Sequence, residues 1–300
     1  MSETQKSGTE TLLVTGAGGK LGRRVVELLL EQGRKVIAGS RSPEKLADLA
    51  AKGAETRRVD FDDPAVASAL AGADRLLLIS TDALAEPGLR LRQHKAAVAA
   101  AEAAGVKHVV YTSLPNPEPG SPVTFAGDHY GTEQALAAST LGWTILRNTW
   151  YSDNLLLSLP HALATGQWFT SAGDGLVTHV TREDCARAAA AALASSDPES
   201  RIYTITGPEA LTTEGIAALA AEVFGKPVVV IQVSDDDLAK GLAGAGFPDF
   251  FVRALVSFDV NTRVGRASEV TDAVRQLTGR EPQSLRAFFE ANKAAFLPAA

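Results

Sequence analysis

The sequence predicts an α/β protein: a doubly wound parallel sheet with a smaller, interleaved C-terminal α/β lobe. Three observations carry this. Short, wholly apolar runs read as strands buried on both faces. They are followed by stretches of helical spacing, several closed by glycine. The alternation runs through six strands between residues 11 and 147. Strands that alternate with helices lie parallel, joined by helical crossovers, and six of them is the count of a Rossmann sheet.

The elements follow in order. TLLVT (11–15) is the first strand and GKLGRRVVELLLEQG (19–33) the first helix, stopped by Gly33. KVIAG (35–39) is the second strand. Pro43 sits where the first turn of a helix tolerates it, and that helix runs to Gly53. AETRRVD (54–60) is a strand, Asp63-Pro64 opens a helix to Ala71, and RLLLIS (75–80) is a strand. An Ala-rich helix (90–104) closes at Gly105; KHVVYTS (107–113) is a strand, 124–139 a helix, and WTILR (143–147) a strand. The second half is less regular. Residues 149–168 are aromatic and apolar around one helix. Strands are expected at 177–181, 201–206 and 228–233, and helices at 182–195, 213–224, 269–277 and 284–295. No sharp linker marks the midpoint. The first domain is therefore expected over 1–150 and the lobe over 151–300, with about 176–206 returning to the first sheet.

Composition narrows the function. In 300 residues, 45% hydrophobic and 21% charged describe a folded soluble chain. With 29 Lys+Arg against 35 Asp+Glu, the net charge of −6 argues against bulk binding to nucleic acid or an anionic membrane surface. A lone cysteine, Cys185, excludes an internal disulfide and a Cys-based metal cluster, so a reducing cytoplasm is expected. The polar start MSETQKSGTE has no apolar core, so a secretory signal is not expected. No apolar run approaches the roughly 18–20 residues of a membrane span. His94, His108, His161 and His179 show no ligand spacing, and no metal is expected. A homodimer is compatible with the sequence.

The strongest chemical signal joins the first strand to the first helix: Thr15-Gly16-Ala17-Gly18-Gly19-Lys20-Leu21-Gly22. Gly16, Gly19 and Gly22 give the spacing G-x-x-G-x-x-G. The chain must turn tightly, a backbone must approach a pyrophosphate, and the helix must pack against its strand. The helix N-terminus then offers N–H groups and a positive dipole end to the anion. Residues 1–150 are thus expected to bind a dinucleotide through Gly16, Gly18, Gly19, Lys20 and Leu21. An NAD site usually carries Asp or Glu at the end of strand two. This chain has Arg41 there, with no acid before Glu44. Arg41 suits a 2′-phosphate, and Lys45, one turn on, is a second cation, so the expected cofactor is NADPH. Asp60 and Phe61 are expected near the adenine. Ser80, Thr112 and Ser113, at the ends of strands four and five, complete the cofactor candidates.

VTGAGGKLG (14–22), Arg41, RLLLIS, AAGVKHVVYTS (103–113), LRNTWYSDN (146–154), AGDG (172–175) and VTR (180–182) together make the chain similar to the NmrA-like atypical short-chain dehydrogenases/reductases. Within them it resembles the members that reduce quinones and triphenylmethane dyes. The resemblance covers about 13–194 well and the C-terminal third more loosely. It implies a cofactor laid across the strand ends and an acceptor between sheet and C-terminal lobe. It implies hydride transfer from NADPH to a quinone or a similar flat, dye-like acceptor. It also implies that Asn154, in the segment after strand six, contacts that acceptor.

Many short-chain dehydrogenases reduce carbonyls with Tyr-x-x-x-Lys on the helix after strand five. Tyr130 fills the tyrosine position, but Gln134 stands for the lysine. A neutral amide cannot lower a phenol pKa by charge, so Tyr130 is either a weak acid or a packing residue. His129 and Glu133, four apart, are either a proton-donor or substrate-orienting pair, or a helix-surface ion pair. Trp150 and Tyr151 are expected to wall a flat acceptor. Two other readings remain. A non-catalytic NADP-binding redox sensor of the NmrA type is supported by Gln134. A nucleotide-sugar epimerase or dehydratase needs the missing lysine.

Overall fold

The computed structural model describes residues 10–297; the polar stretch 1–9, on which the absence of a secretory signal was read, lies outside the described residues. The chain divides into two compact units. One runs to Leu114 and takes in Asp128–Arg147 and Cys185–Tyr203. The other comprises Pro115–Gly127, Asn148–Asp184 and the chain from Thr204 onward. The proline-rich stretch 115–127 belongs to the second unit, because Asn116 Nδ2 donates to Arg266 O (3.0 Å) and the Phe125 ring meets Phe258 edge-on.

The first unit is built on β1 (Thr11–Val14), α1 (Lys20–Glu31), β2 (Lys35–Ser40), α2 (Ala47–Ala51), β3 (Glu55–Arg58), α3 (Val66–Leu70), β4 (Arg75–Leu78), α4 (Leu89–Ala103), β5 (His108–Ser113), α5 (Ala126–Ala137) and β6 (Gly142–Asn148). The sheet has seven strands, in the order Arg201–Ile205, β6, β5, β4, β1, β2, β3. β1 runs parallel to both neighbours, with Val14 opposite Ala38 of β2 and Leu77 of β4. The strand order reverses at β1, and the crevice beyond the strand ends at such a reversal is where doubly wound sheets bind ligands. β1 and β4 are buried along their whole length. One sheet face packs Leu13, Ile37, Leu76 and Val109 against Ala97 and Ala101 of α4 and Leu136 of α5. The second unit has its own core, where Leu159, Ile216, Phe224, Leu285 and Phe289 meet.

The sequence and the structure differ in four segments. Residues 43–53 form a 3-10 turn (Pro43–Leu46) before α2 and not one helix. Within 149–168 the expected helix is present but short, and other elements precede it. Trp150–Tyr151 pairs parallel with Val177–Val180, a 3-10 turn spans Ser152–Leu157, and a short helix follows at Leu159–Thr165. The expected helix at 269–277 begins only at Ala273, and the one at 284–295 breaks at Asn292 into Leu285–Ala291 and Lys293–Phe296. Two helices, Asp235–Gly244 and Asp249–Arg263, fill a stretch where the sequence pattern predicts no element. No helix among the described residues is long and apolar enough to cross a membrane.

Candidate dinucleotide site

The turn between β1 and α1 is held by short-range necessity. Thr15 Oγ1 donates to Leu77 O (3.0 Å) and accepts from Ile79 N–H (3.0 Å), tying the reversal point across to β4. Gly16 has φ +63°, a left-handed conformation that suits glycine, and its carbonyl accepts from Gly19 N (2.9 Å). A Cβ on Gly22 would collide with the carbonyl of Gly16, so only glycine lets α1 approach the loop this closely. α1 starts without a side-chain cap and without an acid in its first turn. Gly18, Gly19 and Lys20 are exposed. The start of this 12-residue helix thus presents backbone N–H groups to solvent, as an anion site requires.

A cleft of about 310 Å³ opens beside this turn, within the first unit. Gly16, Gly18 and Gly19 form one wall; Ser40 and Arg41, from the end of β2, form a second. Val59, Asp60 and Phe61 follow β3, and Ile79, Ser80, Thr81 and Asp82 follow β4. Arg41 is largely exposed, with Nη2 3.6 Å from Asp82 Oδ1. Asp60 is engaged on both oxygens, by Arg58 Nη2 (2.8 Å) and by Asp62 N (3.2 Å). Gln93, from α4, closes the inner side. Sequence reasoning missed Thr81, Asp82 and Gln93, which come from a loop and a helix carrying no local motif.

Five expected residues lie outside the cleft lining. Lys20 is exposed at the first position of α1, and Leu21 is buried behind the turn. Lys45 is exposed on the 3-10 turn. Thr112 Oγ1 accepts from Ser80 N (2.9 Å), so it braces the end of β4 from behind. Ser113 Oγ donates to Glu133 Oε1 (2.6 Å), and Arg147 grips both Glu133 oxygens, through Nε (3.0 Å) and Nη2 (2.6 Å).

His129 and Glu133 are therefore not a helix-surface pair: they are 3% and 4% exposed. Glu133 is committed to Arg147 and Ser113. His129 Nε2 is 3.0 Å from Arg90 Nη2, and its Nδ1 is 2.8 Å from Tyr111 Oη. A guanidinium only donates, so Nε2 accepts and Nδ1 carries the proton. Burial, with Arg90 beside it, holds the imidazole pKa well below its usual value. The ring is neutral near pH 7. Tyr130, the next residue, points roughly 100° away around the helix and is half-buried.

In the second unit, Trp150 and Tyr151 are half-buried. Trp150 lies against Phe258, with ring centroids 3.9 Å apart. Tyr151 takes a hydrogen bond from Asn148 Nδ2 (3.0 Å) on its hydroxyl and carries the Arg182 guanidinium 5.5 Å over its ring. Arg182 also clamps Asp153, through its backbone N (2.9 Å) and Nη1 (2.7 Å). The turn that holds Asn154 is pinned by this clamp.

A glycine turn feeding an uncapped helix start at the strand reversal, with an arginine at the end of β2, defines a dinucleotide-binding protein of the doubly wound class. The chain belongs to the NAD(P)H-binding family, whose model matches residues 16–196. It is 38% identical over 277 residues to quinone oxidoreductase 2 of Escherichia coli strain K12, covering 91% of this chain and 96% of that protein. It is similar in structure to the NADPH-dependent quinone oxidoreductase of Escherichia coli complexed with NADPH, with TM-score 0.88, 37% identity, and 93% and 99% of the two chains covered. A second similar structure is the Citrobacter sp. triphenylmethane reductase complexed with NADP(H), with TM-score 0.87, 34% identity, and 95% and 99% covered.

Proposed function

We propose that the protein is an NADPH-dependent oxidoreductase that transfers a hydride to a quinone or a similar conjugated, dye-like acceptor. The observation that carries the cofactor side is Arg41, exposed at the mouth of the cleft where β2 ends. Similarity to quinone and dye reductases over nearly the whole chain supports the acceptor class.

Bound NADPH supplies the hydride. The backbone N–H groups at the start of α1 would hold its pyrophosphate, and Arg41 would hold its 2′-phosphate through charge-assisted hydrogen bonds. Asn154 donates its amide N–H to the acceptor oxygen as that oxygen gains negative charge. Trp150 and Tyr151 give the acceptor a flat aromatic wall. A quinone is already electrophilic, so positioning and one hydrogen bond carry most of the hydride step, and the hydroquinone anion that results takes its proton from solvent water. Tyr130 and His129 are not needed for it. Tyr130 lacks an activating lysine, and His129 is neutral and engaged at both nitrogens. The single cysteine, buried, supports a cytoplasmic location.

The test mixes pure protein with NADPH and a simple benzoquinone and follows loss of the reduced-nicotinamide absorbance. Turnover that needs both protein and quinone is expected. A second reading, an NADP-binding redox sensor, draws on Gln134 in the lysine position. Tight NADPH binding with no turnover on any quinone or dye would favour the sensor.

A further inference from the structure

The first-unit cleft contains a buried amide with one unsatisfied end. Gln93, on α4, is 7% exposed and lines the cleft together with Phe61. Its Nε2 donates to Asp62 Oδ2 at 2.7 Å. An ionised carboxylate only accepts, so this contact settles which end of the amide is which. Nitrogen faces Asp62, and Oε1 is the acceptor. That Oε1 is buried without a hydrogen-bond partner among the described residues. Buried acceptors are nearly always paired, and an orphan in a binding cleft awaits a donor from a ligand or an ordered water.

The donor's chemistry can be narrowed. The cleft runs from the glycine turn, which suits the pyrophosphate, to Arg41 at the end of β2, so it frames the half of a dinucleotide that lies between them. Arg41 marks the phosphate side of the same cleft, so the nucleoside is the one whose ribose carries the 2′-phosphate. Val59 and Phe61 offer an apolar wall suited to a flat base. Asp60, the other acceptor at this wall, already has a donor on each oxygen, from Arg58 and from Asp62. Gln93 Oε1, among the described side chains that line the cleft, is the acceptor buried without a partner, and so the one that a base amine would satisfy.

We propose that Gln93 Oε1 accepts a hydrogen bond from the exocyclic amine of the cofactor's adenine, and that Asp62 is a positioning residue that stops the amide from flipping. Gln93 is then a specificity determinant for the base, independent of Arg41, which selects the 2′-phosphate. This rests on the reading of the cleft as the NADPH site. Hypoxanthine carries a carbonyl where adenine carries the amine, so it would bring a second acceptor against Oε1.

The experiment measures the affinity of the full-length protein for NADPH, for NADH and for the reduced hypoxanthine analogue of NADPH. Binding is followed by the fluorescence of the bound nicotinamide. The wild type should bind NADPH about tenfold or more tightly than the hypoxanthine analogue. Gln93→Met keeps the length and removes the acceptor; it should bring the two within about twofold, while the NADPH-to-NADH ratio holds. Asp62→Ala removes the acceptor that anchors Nε2, from outside the base site, and should shrink the same discrimination even where Gln93→Met fails to fold. A wild type that binds both bases equally but still prefers NADPH over NADH would overturn the inference, because Oε1 would be serving a water, and would leave the cofactor reading intact. Discrimination that survives both substitutions would also overturn it. Failure of the wild type to bind NADPH would overturn the cofactor reading itself.

Discussion

Arg41 and Asp82 face each other across the mouth of the cleft, Nη2 to Oδ1 at 3.6 Å, with side chains 69% and 86% exposed. At that distance and exposure the pair is loose and screened by solvent. A 2′-phosphate carries more charge and more acceptor oxygens than one carboxylate, so on the proposed reading it would displace Asp82 from Arg41 and leave a like charge beside itself. The two residues should therefore act in opposite directions. Arg41→Ala should weaken NADPH binding about ten- to a hundred-fold, the equivalent of roughly 1.5–3 kcal/mol, and barely change NADH binding. Asp82→Asn should tighten NADPH binding a few-fold, most clearly at low salt. Titrations with both cofactors decide this. Equal losses for NADPH and NADH in Arg41→Ala would mean that Arg41 acts on folding or on the shared pyrophosphate.

The glycines of the turn should separate into binding and folding roles. Gly19 has an ordinary φ of −86°, and its nearest obstacle to a Cβ is the Gly16 carbonyl at 3.4 Å, which is plain contact. A side chain there is tolerated by the fold and projects from the exposed helix start. Gly19→Val should leave the melting curve nearly unchanged and abolish cofactor binding. Gly22→Ala forces a Cβ into the Gly16 backbone, which cannot yield, and should cost about 1–3 kcal/mol of stability. If Gly19→Val bound NADPH normally, the dinucleotide would have to lie elsewhere.

Those glycines were legible because their constraint is local: a strand, a tight turn and a helix start within eight residues. Arg41 was legible for the same reason, since it ends β2. Gln93 was not. Its neighbours Arg90 and His94 are also polar, and three polar residues on one stretch of an Ala-rich helix read as a solvated face. Their burial at 5%, 7% and 0% depends on Tyr111, Thr132 and Asp62, which lie far away in sequence. The same blindness hid the burial of Glu133, whose partners Ser113 and Arg147 come from two strands. The helix Asp249–Arg263 escaped because its aromatic and β-branched residues favour strands, yet Phe258 earns its place by packing on Trp150 and Phe125.

Buried histidines should make the fold sensitive to mild acid. Burial, then nearby Arg90, lowers His94 to about 3, and burial, then Arg75, lowers His108 to about 4. An unfolded histidine titrates near 6.5. Below that value the unfolded chain takes up protons that the folded chain refuses, so stability is whole above about pH 6.5 and falls as pH drops toward 4. At about pH 5 each such histidine costs at most about 2 kcal/mol relative to neutral pH. Urea midpoints measured near pH 7.5 and pH 5 should differ accordingly. His108→Gln, whose amide can still reach Thr144, should flatten the dependence. Equal midpoints at the two pH values would mean that these rings are not held neutral.

The chemistry should depend on Asn154 and hardly on Tyr130. Asn154 sits on a turn pinned by the Asp153–Arg182 clamp, which suits a donor that must be in place before charge develops. Losing one oxyanion donor typically slows turnover about 10²–10³-fold, with less at an exposed site. Asn154→Ala should therefore cut quinone reduction strongly and leave NADPH affinity intact. Tyr130→Phe should cost little, because Gln134 and not an activating lysine stands four residues on. His129→Ala should act mainly on stability, since it removes a partner from both Tyr111 and Arg90 in a buried network. Asp153→Asn offers a finer check. It loosens the clamp without touching the Asn154 amide, so it should lower kcat in the same direction but by less. Steady-state rates on one benzoquinone, with NADPH affinity measured separately, rank the four variants. An inactive Tyr130→Phe beside a near-normal Asn154→Ala would reverse the assignment and place an ordinary tyrosine acid at the centre of the mechanism.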